Sequence, residues 1–510
     1  MAIQKLLIAN RGEIAIRVAQ SAAEMGLETV GVFSGDDAGS LHCKSCDVAV
    51  SLTADGPRAY LDRGALIAIA REQGCDAVHP GYGFLSENAG FAAAVTDAGL
   101  IFVGPEADTI QLFGDKVAAK RAALAQDVPV IDGVDGPASL KTITTFYHSL
   151  PMGAGLMIKA VAGGGGRGMR VLHDAADIPA AFAACQAEAQ QAFGNPDLYA
   201  ERVIENARHV EIQIIGDGTG AVIHMGDREC TLQRRHQKII EIAPSPSLSP
   251  QAREDLCTAA VRIAKASCYR GLGTFEFLLE GIEQTARFIE ANPRLQVEHT
   301  ITEELFGVDL VQLQLGIAAG KTLDDLGLTQ AQFTAPKGFA LQCRITMERL
   351  DAKGGAQPSN GTITTYSPPG GPGIRVDGFG YDGYVVNSNF DPLLAKLILR
   401  TAQMDYAGIV AKAARALRGF SIGGIDTNIG FLRALLDDKN LRENKVTTGY
   451  VADALPRLLA SIPKNDAAVI PETPSEQQVP DGLNGIFTPL RTLIAKLVAQ
   501  PAAKYLGFNW

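Results

Sequence analysis

The chain has 510 residues, of which 46% are hydrophobic and 20% charged, and a formal net charge of −10. That length exceeds what one core supports, so about two to four domains are expected, and the acidic balance excludes nonspecific nucleic-acid binding as a role. No apolar run approaches the roughly 18 residues of a membrane span, the opening MAIQKLLIANRGE is broken by polar residues too early for a signal peptide, and eight cysteines at this length suit free thiols in a reducing compartment, so a cytoplasmic chain is expected.

KLLIAN (5–10) predicts a short buried strand. A helix with apolar positions Ile14, Val18, Ala22 and Met25 follows, and then the strand ETVGVF (28–33). Cys43 and Cys46 form a CxxC, yet no second pair at zinc spacing accompanies it. A redox pair belongs at a helix N-terminus, whereas this one falls in a polar connection before the strand 47–52, so neither role is expected. A further helix and strand, LIAIAREQG and CDAVHPGYG (66–83), complete an alternation that predicts a parallel, doubly wound sheet. Its ligand loops would be Asn10-Arg11-Gly12 and His79-Pro80-Gly81-Tyr82-Gly83, at the strand carboxyl ends.

After about residue 113 the texture changes to a helix (114–126), hairpins with Gly-Asp-Gly-Thr-Gly (216–220) as a turn, and a helix (251–269). A third region opens near 336 with the strand FALQCRI, passes through a Gly/Pro-rich stretch (354–374) and closes on a helix over 406–420. Pro463, Pro471, Pro474 and Pro480 among polar residues mark a linker over 463–482. Beyond it Thr488 and Pro489 can open a helix with the apolar stripe Leu490, Leu493, Ile494, Leu497 and Val498. So short a helix is marginal alone, which predicts that it docks. The expected fold class is α/β and α+β, with regions 1–113, 114–335, 336–450 and 451–510.

The most informative run is 288–299, FIEANPRLQVEH. Glu290, Asn292, Arg294, Gln296 and Glu298 alternate, so in an extended strand all five share a face; that face is either exposed or a catalytic floor. Flanking Phe288, Ile289, Leu295 and Val297 bury the other face and favour the floor. Glu276 and Glu290 each sit inside apolar strands, where a carboxylate is costly unless paired or bound to metal. With Asn292 they make an oxygen-rich set suited to Mg²⁺, or Mn²⁺ in its place; a structural salt bridge is the alternative. Gly163–Gly166 and Gly168 follow the strand LMIKA, and backbone without Cβ can wrap phosphate oxygens closely. The Walker spacing is absent.

These residues resemble the signature of biotin carboxylases, members of the ATP-grasp superfamily. The similarity runs in order through IANRGEIAIR (8–17), HPGYGFLSEN (79–88), GDKVAAK (114–120), IKAVAGGGGRGMRV (158–171), the stretch 208–244, GLGTFEF (271–277), CRI (343–345) and DTNIGFL (426–432). The resemblance implies an N-terminal α/β domain, an ATP-grasp domain and a C-terminal α+β domain. It implies ATP contacts from Lys116, Lys159, Glu201, His209, Gln233, His236 and Glu276, with Gly164, Gly165 and Gly166 in a mobile phosphate lid, and metal ligation by Glu276, Glu290 and Asn292. Lys238, Arg294, Gln296 and Val297 match the bicarbonate site, Glu298 the general base, and Arg344 the group that stabilises the biotin enolate. Tyr82 and Asp391 match positions near biotin.

The chain departs from the common family pattern at Gln342, Thr346, Ile242, Pro293 and the segment 387–391. No catalytic group is lost, and the departures lean toward a large multifunctional carboxylase of acyl-CoA type. None of the eight methionines precedes a lysine, so the Met-Lys pair that carries biotin is absent. Biotin is therefore expected on a carrier in another chain or a longer polypeptide, alongside a carboxyltransferase, with homodimerisation through the segment around Arg17. Two competing readings are another ATP-grasp carboxylate–amine or carbamoyl phosphate ligase, and a noncatalytic nucleotide-sensing subunit.

Overall fold

Strand Lys5–Ile8 is the middle of a five-stranded parallel sheet ordered Val48–Ser51, Glu28–Phe33, Lys5–Ile8, Ala77–His79, Ile101–Phe102. Leu6, Leu7 and Ile8 have no exposed surface, because helices cover both faces of such a sheet and its central strand is a continuous apolar run. The computed structural model describes residues 2–134, 136–161, 168–281, 283–351 and 354–462. Gly164, Gly165 and Gly166, and the expected linker and helix beyond 463, lie outside them.

The two predicted loops meet where the strand order reverses, beside Lys5–Ile8 and Ala77–His79. Asn10 Nδ2 donates to the carbonyls of Pro80 (2.7 Å) and Tyr82 (2.8 Å). Gly81 has φ +64°, and a Cβ there would come within 2.8 Å of Asn10 Nδ2, so only glycine admits the clamp. The CxxC differs from expectation: Cys43 lies within the short helix His42–Ser45 and Cys46 follows it. Burial pushes the two thiols up to about 11 and about 12, the reverse of what a reactive cysteine needs.

The expected helix at 114–126 is Lys116–Leu124, started by Asp115, whose carboxylate accepts from Val117 N (2.9 Å) and Ala118 N (3.0 Å). A separate helix, Ala107–Gly114, precedes it. Strands Gly133–Val134, Leu198–Arg202, Leu156–Ala160 and Met169–Leu172 form, in that order, a small antiparallel sheet under helix Ile178–Phe193.

The largest sheet has eight antiparallel strands: Thr285–Asn292, Arg270–Glu280, Arg208–Asp217, Val222–Arg234, Gln237–Ala243, Ala340–Thr346, Leu393–Arg400 and Ile374–Gly378. Its ladder crosses from the second region to the third without a break, Ile240–Ala243 pairing with Ala340–Cys343. Helix Pro250–Ala266 buries its apolar stripe on one end, and helices Tyr406–Arg418, Ile429–Asp437 and Tyr450–Ser461 cover the other.

The run 288–299 is not one strand. The strand ends at Asn292, because Pro293 has no N–H for the ladder and Arg294 N turns back to Asn292 O at 2.9 Å. Period-two alternation therefore holds for Glu290 and Asn292 only. Arg294, Gln296 and Glu298 reach the same place through a loop that ends where helix His299–Phe306 begins.

Candidate active site

Lys238, near the start of strand Gln237–Ala243, is the hub. Its ammonium donates to Glu211 (2.6 Å), Glu276 (2.9 Å) and Glu298 (2.7 Å), one carboxylate for each proton. Burial opposes the charge, but these carboxylates win and hold Lys238 well above the ordinary lysine range. Glu298 has no exposed surface and also accepts from Arg344 Nη2 at 3.1 Å. Burial alone would lift its carboxyl; Lys238, Arg344 and Arg228 outweigh that and keep it far below the usual carboxylate range. Its side chain caps no helix N–H, which leaves it committed to the site.

Arg344, on Ala340–Thr346, is pinned by Glu241 Oε1 (2.5 Å) as well as Glu298. Arg294 spreads its fork over Glu87 (2.9 Å), Asn292 Oδ1 (3.2 Å) and Leu295 O (3.2 Å). Gln296 is buried with Nε2 3.4 Å from Glu276 Oε1.

On the adjoining strands, Glu276 and Glu290 are direct cross-strand partners. Glu276 also receives Asn292 Nδ2 (2.8 Å) and has His209 Nε2 at 2.6 Å. Burial would raise it, and Lys238 with His209 draws it well below its usual range. Lys116 pairs with Glu290 at 2.7 Å; the attraction raises the lysine and lowers the carboxyl. Lys159, on Leu156–Ala160, is pushed down to about 7 by burial and by Lys116 and Lys120. Glu290 opposes that shift; Glu201 lies 2.5 Å from the ammonium, and Lys120 shares the same carboxylate. Gln233 Nε2 lies 2.6 Å from His209 Nδ1. His236 stands on a turn at φ +66°, and desolvation first, then the charge of Lys159, depress its pKa.

Tyr82 is half-buried and its hydroxyl donates to Glu13. Asp391 is exposed, accepts from Leu393 N (2.9 Å) and adds to the upward push on the Tyr82 phenol, which burial dominates. Sequence reasoning missed Glu211, Glu241, Arg228 and Glu87. Glu211 was within reach, since His209, Glu211 and Gln213 alternate on one strand face. Glu241 was not, because its partner Arg344 is 103 residues away. Arg228, fully buried, binds Glu211 (2.5 Å), Gln213 (2.7 Å), Thr302 (3.0 Å) and Thr274 (3.1 Å), and so stiffens the hub from below.

Fold and site together define an ATP-grasp ligase: two antiparallel sheets face a carboxylate-rich, cation-lined centre, with a parallel domain alongside. Three family models match in order: "Biotin carboxylase, N-terminal domain" over 2–110, "Carbamoyl-phosphate synthase L chain, ATP binding domain" over 115–326, and "Biotin carboxylase C-terminal domain" over 342–453. A pyruvate carboxylase of Aspergillus terreus is 43% identical over 477 residues, 92% of this chain and 39% of the relative. The chain thus spans about two fifths of the length of the curated relatives it matches. The biotin carboxylase domain dimer of Hydrogenobacter thermophilus 2-oxoglutarate carboxylase, solved with MgADP, ADP and bicarbonate, superposes with TM-score 0.85 at 38% identity, covering 90% of this chain and 99% of that one. A single-chain, multi-domain long-chain acyl-CoA carboxylase gives 0.79 at 41% identity, covering 90% and 43%. The chain belongs to the biotin carboxylase family. Among the described residues no helix is long and apolar enough to cross a membrane.

Proposed function

We propose that this chain carboxylates biotin at the expense of ATP, with bicarbonate as the carbon source. The observation that carries this is Glu298: a buried carboxylate, ionised at neutral pH, joined to Lys238 on one side and Arg344 on the other. In this reading Glu298 takes the proton of bicarbonate, whose oxygen then attacks the γ-phosphorus to give carboxyphosphate and ADP. Lys238 and the Arg294 fork balance the charge of the anion. Carboxyphosphate breaks into CO₂ and phosphate, phosphate takes the N1′ proton of biotin, and the enolate attacks CO₂ while Arg344 stabilises its charge.

Lys116, Lys159, Glu201, His209, Gln233 and His236 take the nucleotide. Mg²⁺ suits the facing carboxylates Glu276 and Glu290 with Asn292 Oδ1, all hard oxygen donors, and when bound it neutralises charge on the phosphates. Tyr82 and Asp391 lie toward biotin. The regions divide at 113/114 and 335/336, and the expected division at 450/451 moves past helix Tyr450–Ser461, because Val451, Ala454 and Leu458 pack in the core of the third region; the protein works as a homodimer in the cytoplasm, with biotin on a carrier domain and a carboxyltransferase beside it.

The final acceptor is a carbon acid α to a carbonyl, the feature shared by pyruvate, 2-oxoglutarate and acyl-CoA thioesters. The sequence departures favour an acyl-CoA, whereas the curated relatives act on pyruvate by name. Purified chain should hydrolyse ATP in a bicarbonate-dependent manner that free biotin accelerates. A rate indifferent to both, or ammonia stimulation with biotin inert, would sink the reading.

A further inference from the structure

Lys396 is fully buried in the strand Leu393–Arg400, in the apolar context LLAKLIL. Its cross-strand partners are Arg344 on one neighbouring strand and Asp377 on the other. Two cations directly opposite on one face repel unless each has its own counter-ion. Arg344 has Glu241 and Glu298. Lys396 has Glu13, whose Oε2 lies 3.0 Å from Nζ, while Asp377 is taken by the Arg375 fork at 2.7 and 2.6 Å. Glu13 comes from the first turn of helix Gly12–Glu24 in the N-terminal region and is itself buried.

The pair touches the site at both ends. Glu13 accepts the Tyr82 hydroxyl, and Lys396 Nζ donates to Val297 O at 3.2 Å. That carbonyl and the N–H of Glu298 share one peptide group, so Lys396 fixes the plane of the peptide that leads into the base. We propose that Glu13 and Lys396 are positioning residues that hold the biotin-side Tyr82 and the bicarbonate-side Glu298 in one fixed relative geometry. The inference rests on the reading of Tyr82 and Glu298 given above. A buried ion pair adds little net stability over an apolar pair of the same shape, so its contribution here is placement, and a displacement of about 1 Å costs about 10²-fold in rate.

The test uses the full chain with Glu13→Gln and Lys396→Met together, which removes both charges and strands neither. Turnover that depends on bicarbonate and biotin should fall about 10²-fold, with KM for bicarbonate and for biotin raised and KM for ATP held within about twofold. Tyr82→Phe should cost less in this background than in the native one, because the amide that replaces the Glu13 carboxylate is a weaker acceptor for the hydroxyl. Unchanged turnover, an equal Tyr82→Phe penalty in both backgrounds, or a parallel rise in KM for ATP each overturns the proposal. If the double variant does not fold, Glu13→Gln alone must show the same KM split at smaller amplitude, and its absence overturns the proposal too. A native chain that ignores biotin would instead remove the underlying reading, and the inference with it.

Discussion

Replacing Glu298 by Gln keeps the shape of the side chain and removes its charge. At an effective dielectric of about 20, a unit pair at 2.7 Å is worth about 6 kcal/mol and one at 3.1 Å about 5 kcal/mol, before desolvation is returned. Lys238 would keep Glu211 and Glu276, and Arg344 would keep Glu241, so neither cation is stranded. The loss of stability should therefore sit at the low end for a broken buried pair, about 3 kcal/mol, and the chain should fold. Turnover should fall by about 10²- to 10⁴-fold, the usual worth of a general base. ATP affinity should change little, because the nucleotide lysines bind Glu290 and Glu201 instead. ADP release in a coupled assay with saturating bicarbonate and free biotin gives the rate, and titration calorimetry gives ATP binding. Turnover within threefold of the native chain, or a collapse of ATP affinity that accounts for the loss, would refute the assignment.

Arg344→Ala should lower biotin-dependent turnover about 10²-fold and biotin-independent ATP hydrolysis much less; equal loss of both, by the same assay, contradicts its role toward biotin. Lys116→Gln should raise KM for ATP about tenfold or more while the bicarbonate KM stays put, measured by steady-state kinetics. Stability should drop on acidification. Glu276, Glu290 and Glu298 are all held below the ordinary carboxylate value of 4.5, so their stabilisation is complete above it and is lost as pH falls through the depressed values. Glu13, Asp227 and Glu241, raised by burial, work the other way but are outnumbered once Asp377 and Glu280, also held low, are added. A urea midpoint that climbs below pH 4.5 would contradict this balance.

Much of the fold was legible because it rests on short-range signals. KLLIAN and CDAVHPGYG read as parallel strands with loops at their carboxyl ends, and those loops meet through Asn10. The run 288–299 was legible as a site but not as a shape: alternation pointed to one strand, while Pro293 ends it and a loop delivers Arg294, Gln296 and Glu298. The hub around Lys238 was half legible. Lys238, Glu276 and Glu298 carry recognisable surroundings, but Arg228 and Glu241 depend on long-range pairing. Lys396 is the hardest case, since in sequence it is a lone charge in an apolar strand and only the fold supplies Glu13.

The unbroken eight-stranded sheet has a mechanical consequence. A hydrogen-bonded ladder resists bending within its plane, and here it carries Glu211, Glu276 and Lys238 on strands of the second region and Arg344 and Lys396 on strands of the third. Seen this way the sheet is a chassis rather than a wall. Lys238 and Arg344, the cations assigned to bicarbonate and to biotin, share one stiff frame and have no hinge between them. The four-stranded sheet that bears Lys159 and Glu201 shares no ladder with that frame, so it is free of the stiffness that ties Lys238 to Arg344.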